Sequence, residues 1–158
     1  MPEDPTAVDA HTPPHRKGMT REEIIAWFNR RRKASDDRDA ATLAADYAPH
    51  AIVESPMGGV HEGRDTIETV FHAFFDAFLD MKVTSDRLVI DGDSVVEIRN
   101  LEGTHIGVFL GLQPTGKPFH FTIATLYDVQ DGQILRERRI YDFTGLLVQI
   151  GALKAKPV

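Results

Sequence analysis

Residues 118–141 read PFHFTIATLYDVQDGQILRERRIY, and their alternation decides the fold. Phe119, Phe121, Ile123, Tyr127 and Val129 fall on one face of an extended strand, with Thr125 the one small polar residue among them, while His120, Thr122 and Asp128 fall on the other. Asp131-Gly132 marks a reversal into a second strand. The turn type decides what that strand turns inward, because a one-residue slip moves every side chain to the opposite face. A three-residue loop, Gln130-Asp131-Gly132 with Gly132 left-handed, pairs Val129 with Gln133, sets Glu137 opposite Thr125 and turns Glu137, Arg139 and Tyr141 inward. A two-residue Asp-Gly turn puts Arg138, Ile140 and Asp142 there instead. The three-residue loop is the expectation adopted.

Upstream, strands are expected over residues 82–90 and 94–110, joined at Asp91-Gly92, with a loop at 113–117. The N-terminal half is helical. Thr20-Arg21-Glu22-Glu23 has the spacing of a capping box, and Ile24, Trp27 and Phe28 continue it as an apolar stripe, so a first helix runs to about Ala34. A second, short helix from Asp39 carries Leu43 and Tyr47 and stops by Pro49, followed by a strand at 51–54. In the third helix Ile67, Val70, Phe71, Phe74, Phe75 and Phe78 recur at three and four residues, the period of one buried face. A last helix occupies 143–150 and ends at Gly151. Helices first and a meandering sheet afterwards read as α+β: a cone-shaped, curved, mainly antiparallel sheet wrapped over about three N-terminal helices, with a short C-terminal helix.

With 158 residues the chain makes one domain, expected over 20–152. Residues 1–19 carry four prolines and little to bury and form a tail, as do 153–158. A net charge of −6 argues against nucleic acid as a partner. The one basic run, Arg30-Arg31-Arg32-Lys33, reads as a solvated helix end. No cysteine is present, which excludes disulfides and thiolate sites, and the histidines have no metal-ligand spacing, so no metal is expected. No apolar run approaches membrane-spanning length and no signal peptide is visible, so a cytoplasmic location is expected.

An inward Arg139 beside Glu137, Tyr141 and Thr125 must be paired or must serve a ligand. One reading is a structural ion pair with Glu137. The other is that Arg139 holds an anionic or carbonyl oxygen while Tyr141 and Thr125 orient the rest of a small hydrophobic ligand, so that Arg139→Ala abolishes binding and leaves the fold intact.

Gly103-Thr104-His105-Ile106-Gly107, then Phe109-Leu110-Gly111-Leu112-Gln113-Pro114-Thr115-Gly116-Lys117, then Asp131-Gly132-Gln133-Ile134, then Tyr141-Asp142-Phe143-Thr144-Gly145-Leu146-Leu147-Val148-Gln149-Ile150-Gly151 resemble the SnoaL-like polyketide (ester) cyclase family. The resemblance covers about residues 20–152. It implies the cone-shaped fold of the nuclear-transport-factor-2-like superfamily, a homodimer formed through the outer sheet face, and an intramolecular aldol cyclisation without metal or cofactor, driven by an acidic residue in a hydrophobic pocket. The family's catalytic aspartate falls on Arg139, and its glutamine and histidine on the preceding strand fall on Ile123 and Thr125. An arginine cannot take a proton from a carbon acid near neutral pH. Glu137 or His105, which matches the family's Gly-Thr-His, then becomes the proton carrier, with Tyr141 or Tyr47 as hydrogen-bond donor and Phe121 and Ile123 on the pocket wall. Asp142 matches a motif residue and also occupies the N-cap position of the last helix. In the same superfamily, limonene-type epoxide hydrolases use an Arg-x-Asp pair, and here Arg99-Asn100-Leu101 lacks the acid. Two functions follow: a cofactor-independent enzyme, isomerase-like or cyclase-like, on a hydrophobic carbonyl compound, or a non-catalytic ligand-binding or assembly domain.

Overall fold

The computed structural model describes residues 18–155. Most of the predicted N-terminal tail and the end of the C-terminal one therefore lie outside the described residues, although Met19 is half-buried against the core. The order is α1 (Arg21–Asp36), α2 (Ala40–Ala45), β1 (Tyr47–Ser55), β2 (Gly59–Glu62), α3 (Arg64–Ala77), β3 (Lys82–Asp91), β4 (Ser94–Thr104), β5 (Pro118–Gln130), β6 (Gln133–Ile140) and α4 (Phe143–Gln149). One six-stranded sheet has the order β2-β1-β6-β5-β4-β3; β1 and β6 run parallel and every other pair is antiparallel. The expected α+β layout stands, with helices over the face that carries Tyr127, Val129 and Ile134.

Its N-terminal boundary is the predicted capping box. Thr20 Oγ1 accepts from the Glu23 N–H at 3.2 Å, and Glu23 Oε2 accepts from the Thr20 N–H at 2.7 Å. The buried stripe of α1 is Ile24, Trp27, Phe28, Arg31 and Ala34. Arg31 stands three residues after Phe28 and seven after Ile24, in phase with that stripe. The reading of 30–33 as a solvated end therefore fails for Arg31, which is buried, and holds for Lys33.

Three boundaries differ from the expectation. Tyr47 is the first residue of β1 rather than part of α2, because parallel pairing with Ile134 takes the chain over immediately after the six-residue helix. Pro49 is tolerated in this strand because the β1–β6 register is interrupted between Tyr47 and Ile52, where its missing N–H removes no ladder bond. β4 ends at Thr104 and not near Leu110. Past it the Gly107 N–H donates to the Ala77 carbonyl, and a Cβ on Gly107 would stand 2.2 Å from the Asp76 carbonyl oxygen, so only glycine lets this loop rest on the end of α3. The short edge strand β2 carries no apolar alternation and went unpredicted.

The β5–β6 turn is the two-residue form, with Asp131 and Gly132 both at positive φ and Gln130 paired with Gln133. By itself that turn would place Arg138 inward. A register shift follows at once: Val129 pairs with Ile134 but Asp128 with Arg136, so Leu135 is an extra residue on β6. The bulge restores the expected parity. Glu137 lies opposite Tyr127 and Arg139 opposite Thr125, one pair further along than expected, and both face inward. Among the described residues no helix is long and apolar enough to cross a membrane.

Candidate functional site

Between the inner sheet face and α1 and α3 lies a cavity whose walls are apolar and whose floor is charged. Phe71, Phe74 and Val70 of α3, Phe121 and Ile123 of β5, and Tyr141 line it. The aromatic face of α3, predicted as core, is divided: Ile67 and Phe75 are buried, whereas Phe71 and Phe74 are half-buried on the cavity. Phe121 and Tyr141 stack at 5.1 Å between ring centres, and Tyr141 Oη lies 3.4 Å from Ser55 Oγ. Asp36, exposed at the end of α1, marks the rim.

Two carboxylates sit on the floor, Glu137 of β6 and Glu97 of β4, respectively 1% and 3% exposed. Both oxygens of Glu137 are taken: Oε1 accepts from Arg139 Nε, and Oε2 from the Tyr47 hydroxyl. Arg64, first residue of α3, fixes Tyr47 by donating Nε and Nη2 to its carbonyl at 2.8 and 2.6 Å. Arg31 donates to the same tyrosine's hydroxyl at 3.3 Å, to the Leu43 carbonyl at 3.2 Å and to Asp46 at 2.7 Å, with its guanidinium 5.2 Å above the Tyr47 ring. Arg139 lies 5.6 Å from the Phe71 ring centre. Burial pushes the Glu137 carboxyl up, but the charge and hydrogen bond of Arg139, the Tyr47 hydroxyl and the charge of Arg99 outweigh it and hold Glu137 below the ordinary carboxylate range. Burial, reinforced by the Glu137 charge, drives Tyr47 well above the usual phenol value, so it stays a donor.

Glu97 is held differently. Its Oε1 accepts from Arg32 Nε at 2.9 Å and from Ser85 Oγ at 3.0 Å, while Oε2 is approached only by Arg99 Nε at 3.6 Å, too far for a hydrogen bond. Arg99 donates Nη2 to Thr125 Oγ1 at 3.1 Å, and its buried Nε has no hydrogen-bond acceptor. Glu97, Thr125 and Arg139 form one row across β4, β5 and β6.

Of the residues singled out in the sequence, Tyr47, Phe121, Ile123, Glu137, Arg139 and Tyr141 line this one cavity. Thr125 lies fully buried between its two charged ladder neighbours and is not among the residues that line the cavity. His105 is elsewhere. It is fully buried, its Nδ1 engages Thr115 through the hydroxyl at 3.1 Å and the backbone N–H at 3.3 Å, and its ring packs near Phe78 and Phe109. It is not among the residues that line the cavity, and among the described residues its buried Nε2 has no hydrogen-bond partner. Asp142, exposed, accepts from the Gly145 N–H at 2.8 Å and caps α4. Arg139→Ala would strip a buried carboxylate of its counter-ion and so costs stability as well as any contact with a ligand.

The sequence reading missed Arg31, Arg32, Glu97 and Arg99. The signal was present: Val95, Glu97, Arg99 and Leu101 alternate on the inner face of β4, so a Glu-x-Arg pair stood in core positions. Among the described residues no group of three or more His, Asp or Glu is placed to hold a metal ion.

Known proteins place this geometry. No curated protein sequence matches the chain. AclR from Streptomyces galilaeus, a proposed hydroxylase, superimposes with a TM-score of 0.75 at 22% identity over 87% of each chain. IdmH from Streptomyces antibioticus, a proposed polyketide cyclase, gives 0.66 at 29% identity over 80% of this chain and 97% of its own. SalBIII, an epoxide hydrolase/cyclase-like enzyme of pyran ring formation in the polyether salinomycin, gives 0.66 at 20% identity over 78% of this chain and 94% of its own. Three differently described proteins on one fold mean that the fold does not choose the reaction. The family model for SnoaL-like polyketide cyclase matches residues 26–150, and the chain belongs to that family.

Proposed function

We propose that this protein is a cofactor-independent enzyme, isomerase-like or cyclase-like, which moves a proton next to a carbonyl group of a hydrophobic compound bound between α3 and the sheet. The observation that carries the proposal is the unequal state of the two floor carboxylates. Glu137 has both oxygens occupied and is held below the ordinary carboxylate range, which suits a structural counter-ion. Among the described residues Glu97 makes no hydrogen bond through Oε2, which only Arg99 approaches, while it lines the same cavity. The proton carrier is therefore Glu97 and not Glu137. The developing enolate oxygen is held by the Tyr141 hydroxyl, while the guanidiniums of Arg99 and Arg139 anchor the ligand through a second polar group. Phe71, Phe74 and Phe121 exclude water and orient the carbon skeleton.

This assignment replaces the family's aspartate, whose place Arg139 takes, by a carboxylate two strands away. A second reading rests on that same substitution: without the family's acid, the cavity binds a ligand and does not turn it over. The homodimer and the cytoplasmic location expected from the sequence belong to the proposal too, and light scattering on the purified chain checks the first.

A thermal-shift panel of cyclic ketones, β-keto esters and aromatic polyketide mimics tests the site. A bound compound at about 100 times its dissociation constant stabilises by about 2.7 kcal/mol, several degrees for a domain of this size. The comparison protein is the double variant Glu137→Gln/Arg139→Met, which removes a charge pair without leaving either partner alone. A compound that shifts the wild type and not the double variant supports the proposal, and turnover of that compound separates the enzyme from the binding domain. No shift in the wild type, or equal shifts in both proteins, sinks it.

A further inference from the structure

The charges around the cavity narrow the class of compound it takes, provided the cavity is the working site proposed above. Three of its cations have a carboxylate of their own: Arg31 has Asp46 at 2.7 Å, Arg32 has Glu97 at 2.9 Å, and Arg139 has Glu137. Arg99 is the fourth and only shares one: it pairs loosely with Glu97, its Nε 3.6 Å from the oxygen that Arg32 leaves free, and among the described residues its one hydrogen bond is to the neutral hydroxyl of Thr125. Its buried Nε is without an acceptor.

Arg139 is only partly used. Nε goes to Glu137, and among the described residues neither terminal nitrogen has a hydrogen-bond partner. Thr125 lies between the two residues: Arg139 is its partner across the β5–β6 ladder, and Arg99 donates to its hydroxyl from β4. Burial works against the charge of Arg99, the charges of Glu97 and Glu137 favour it, and the charge of Arg139 opposes it. Like charges gathered beside an apolar cavity, with donors left over, are costly in an empty site and are relieved by an anion. Two guanidinium forks with donors to spare suit the paired oxygens of a carboxylate, and the carboxylate of Asp36 on the rim disfavours the two charges of a phosphate monoester.

We propose that the ligand is a monoanion, an aryl or cyclic carboxylic acid in its carboxylate form, whose two oxygens lie between Arg99 and Arg139 above Thr125, with its ring against Phe71, Phe74 and Phe121. The neutral ester of the same acid is a poor ligand.

Calorimetry at pH 7 and low salt with 2-naphthoate, its methyl ester and 2-naphthyl phosphate reads this directly, on the full chain and on Arg99→Met. That substitution leaves Glu97 with Arg32 and Ser85, and circular dichroism with the thermal midpoint checks that the fold is kept. Arg138→Met, on the outer sheet face, is the charge control. The expected result is that the wild type and Arg138→Met bind the acid at least about tenfold more tightly than the ester, and that Arg99→Met brings the two within about threefold by weakening the acid alone. Equal binding of acid and ester by the wild type, a preference for the phosphate, or a preference for the acid that survives in Arg99→Met overturns the carboxylate assignment while leaving the cavity as a ligand site. Absence of binding by all three probes overturns that site reading as well.

Discussion

Glu97 and Glu137 are the same residue type, on the same face of one sheet, two strands apart and almost equally buried, yet their surroundings hold them differently. Glu137 is closed in by a buried tyrosine and a half-buried arginine, themselves backed by Arg31, Arg64 and the ring of Phe71. Glu97 is held on one oxygen by Arg32, a third of whose side chain is exposed, and its other oxygen is only approached. Burial alone does not identify a working acid. The number of hydrogen bonds already made is what separates a counter-ion from a group with a lone pair to spend.

The largest expected consequence is on stability. Glu137→Ala leaves Arg139 as an uncompensated buried charge and costs about 3–5 kcal/mol, read from the urea midpoint. Glu97→Gln keeps an acceptor for Ser85 and costs about 1–2 kcal/mol, while the rate on any identified substrate falls by about 10²–10⁴-fold. A reversed order of these two stability losses would break the comparison.

Acid titration sharpens it. Glu137 is held below its unfolded value, so the unfolded chain takes up the proton first. The stability this group contributes is present above the ordinary carboxylate range and is lost as pH falls through the depressed folded value. Glu137→Gln should therefore flatten the acid limb of the stability profile, measured as midpoint against pH between about 6 and 3. A limb as steep as the wild type's would show that Glu137 is not held down by its partners. The smallest effect is expected at Asp142, matched by the family motif but occupied as a cap: Asp142→Ala costs about 1 kcal/mol and leaves turnover intact. A large loss of rate would move it into the site.

Much of this fold was legible because local signals and burial agreed. The capping box, the alternation of β5 and the helical period of α3 each reported their own element. The inward face of β6 was reached through compensating differences: the turn is one residue shorter than expected, and Leu135 bulges by one residue to restore parity. No pattern in 118–141 announces that bulge, and the pairing of β6 with β1 on its other side is irregular over the same residues. Arg31 and Glu97 were passed over because charged residues are presumed solvated, although both stood in phase with apolar neighbours. What sequence does not carry is the pairing itself: Arg32 reaches Glu97 across 65 positions and Tyr47 reaches Glu137 across 90.

The most direct test of the division of labour is proton exchange at carbon. 6-Carboxy-2-tetralone in deuterated buffer, followed by NMR, reports abstraction of the proton next to its carbonyl without requiring the full reaction. The wild type should exchange that proton faster than buffer, Glu97→Gln should fall to the buffer rate, and Glu137→Gln, scaled for its folded fraction, should retain most of the activity. Exchange by Glu97→Gln at the wild-type rate, or loss in Glu137→Gln alone, would contradict the assignment of proton transfer to Glu97.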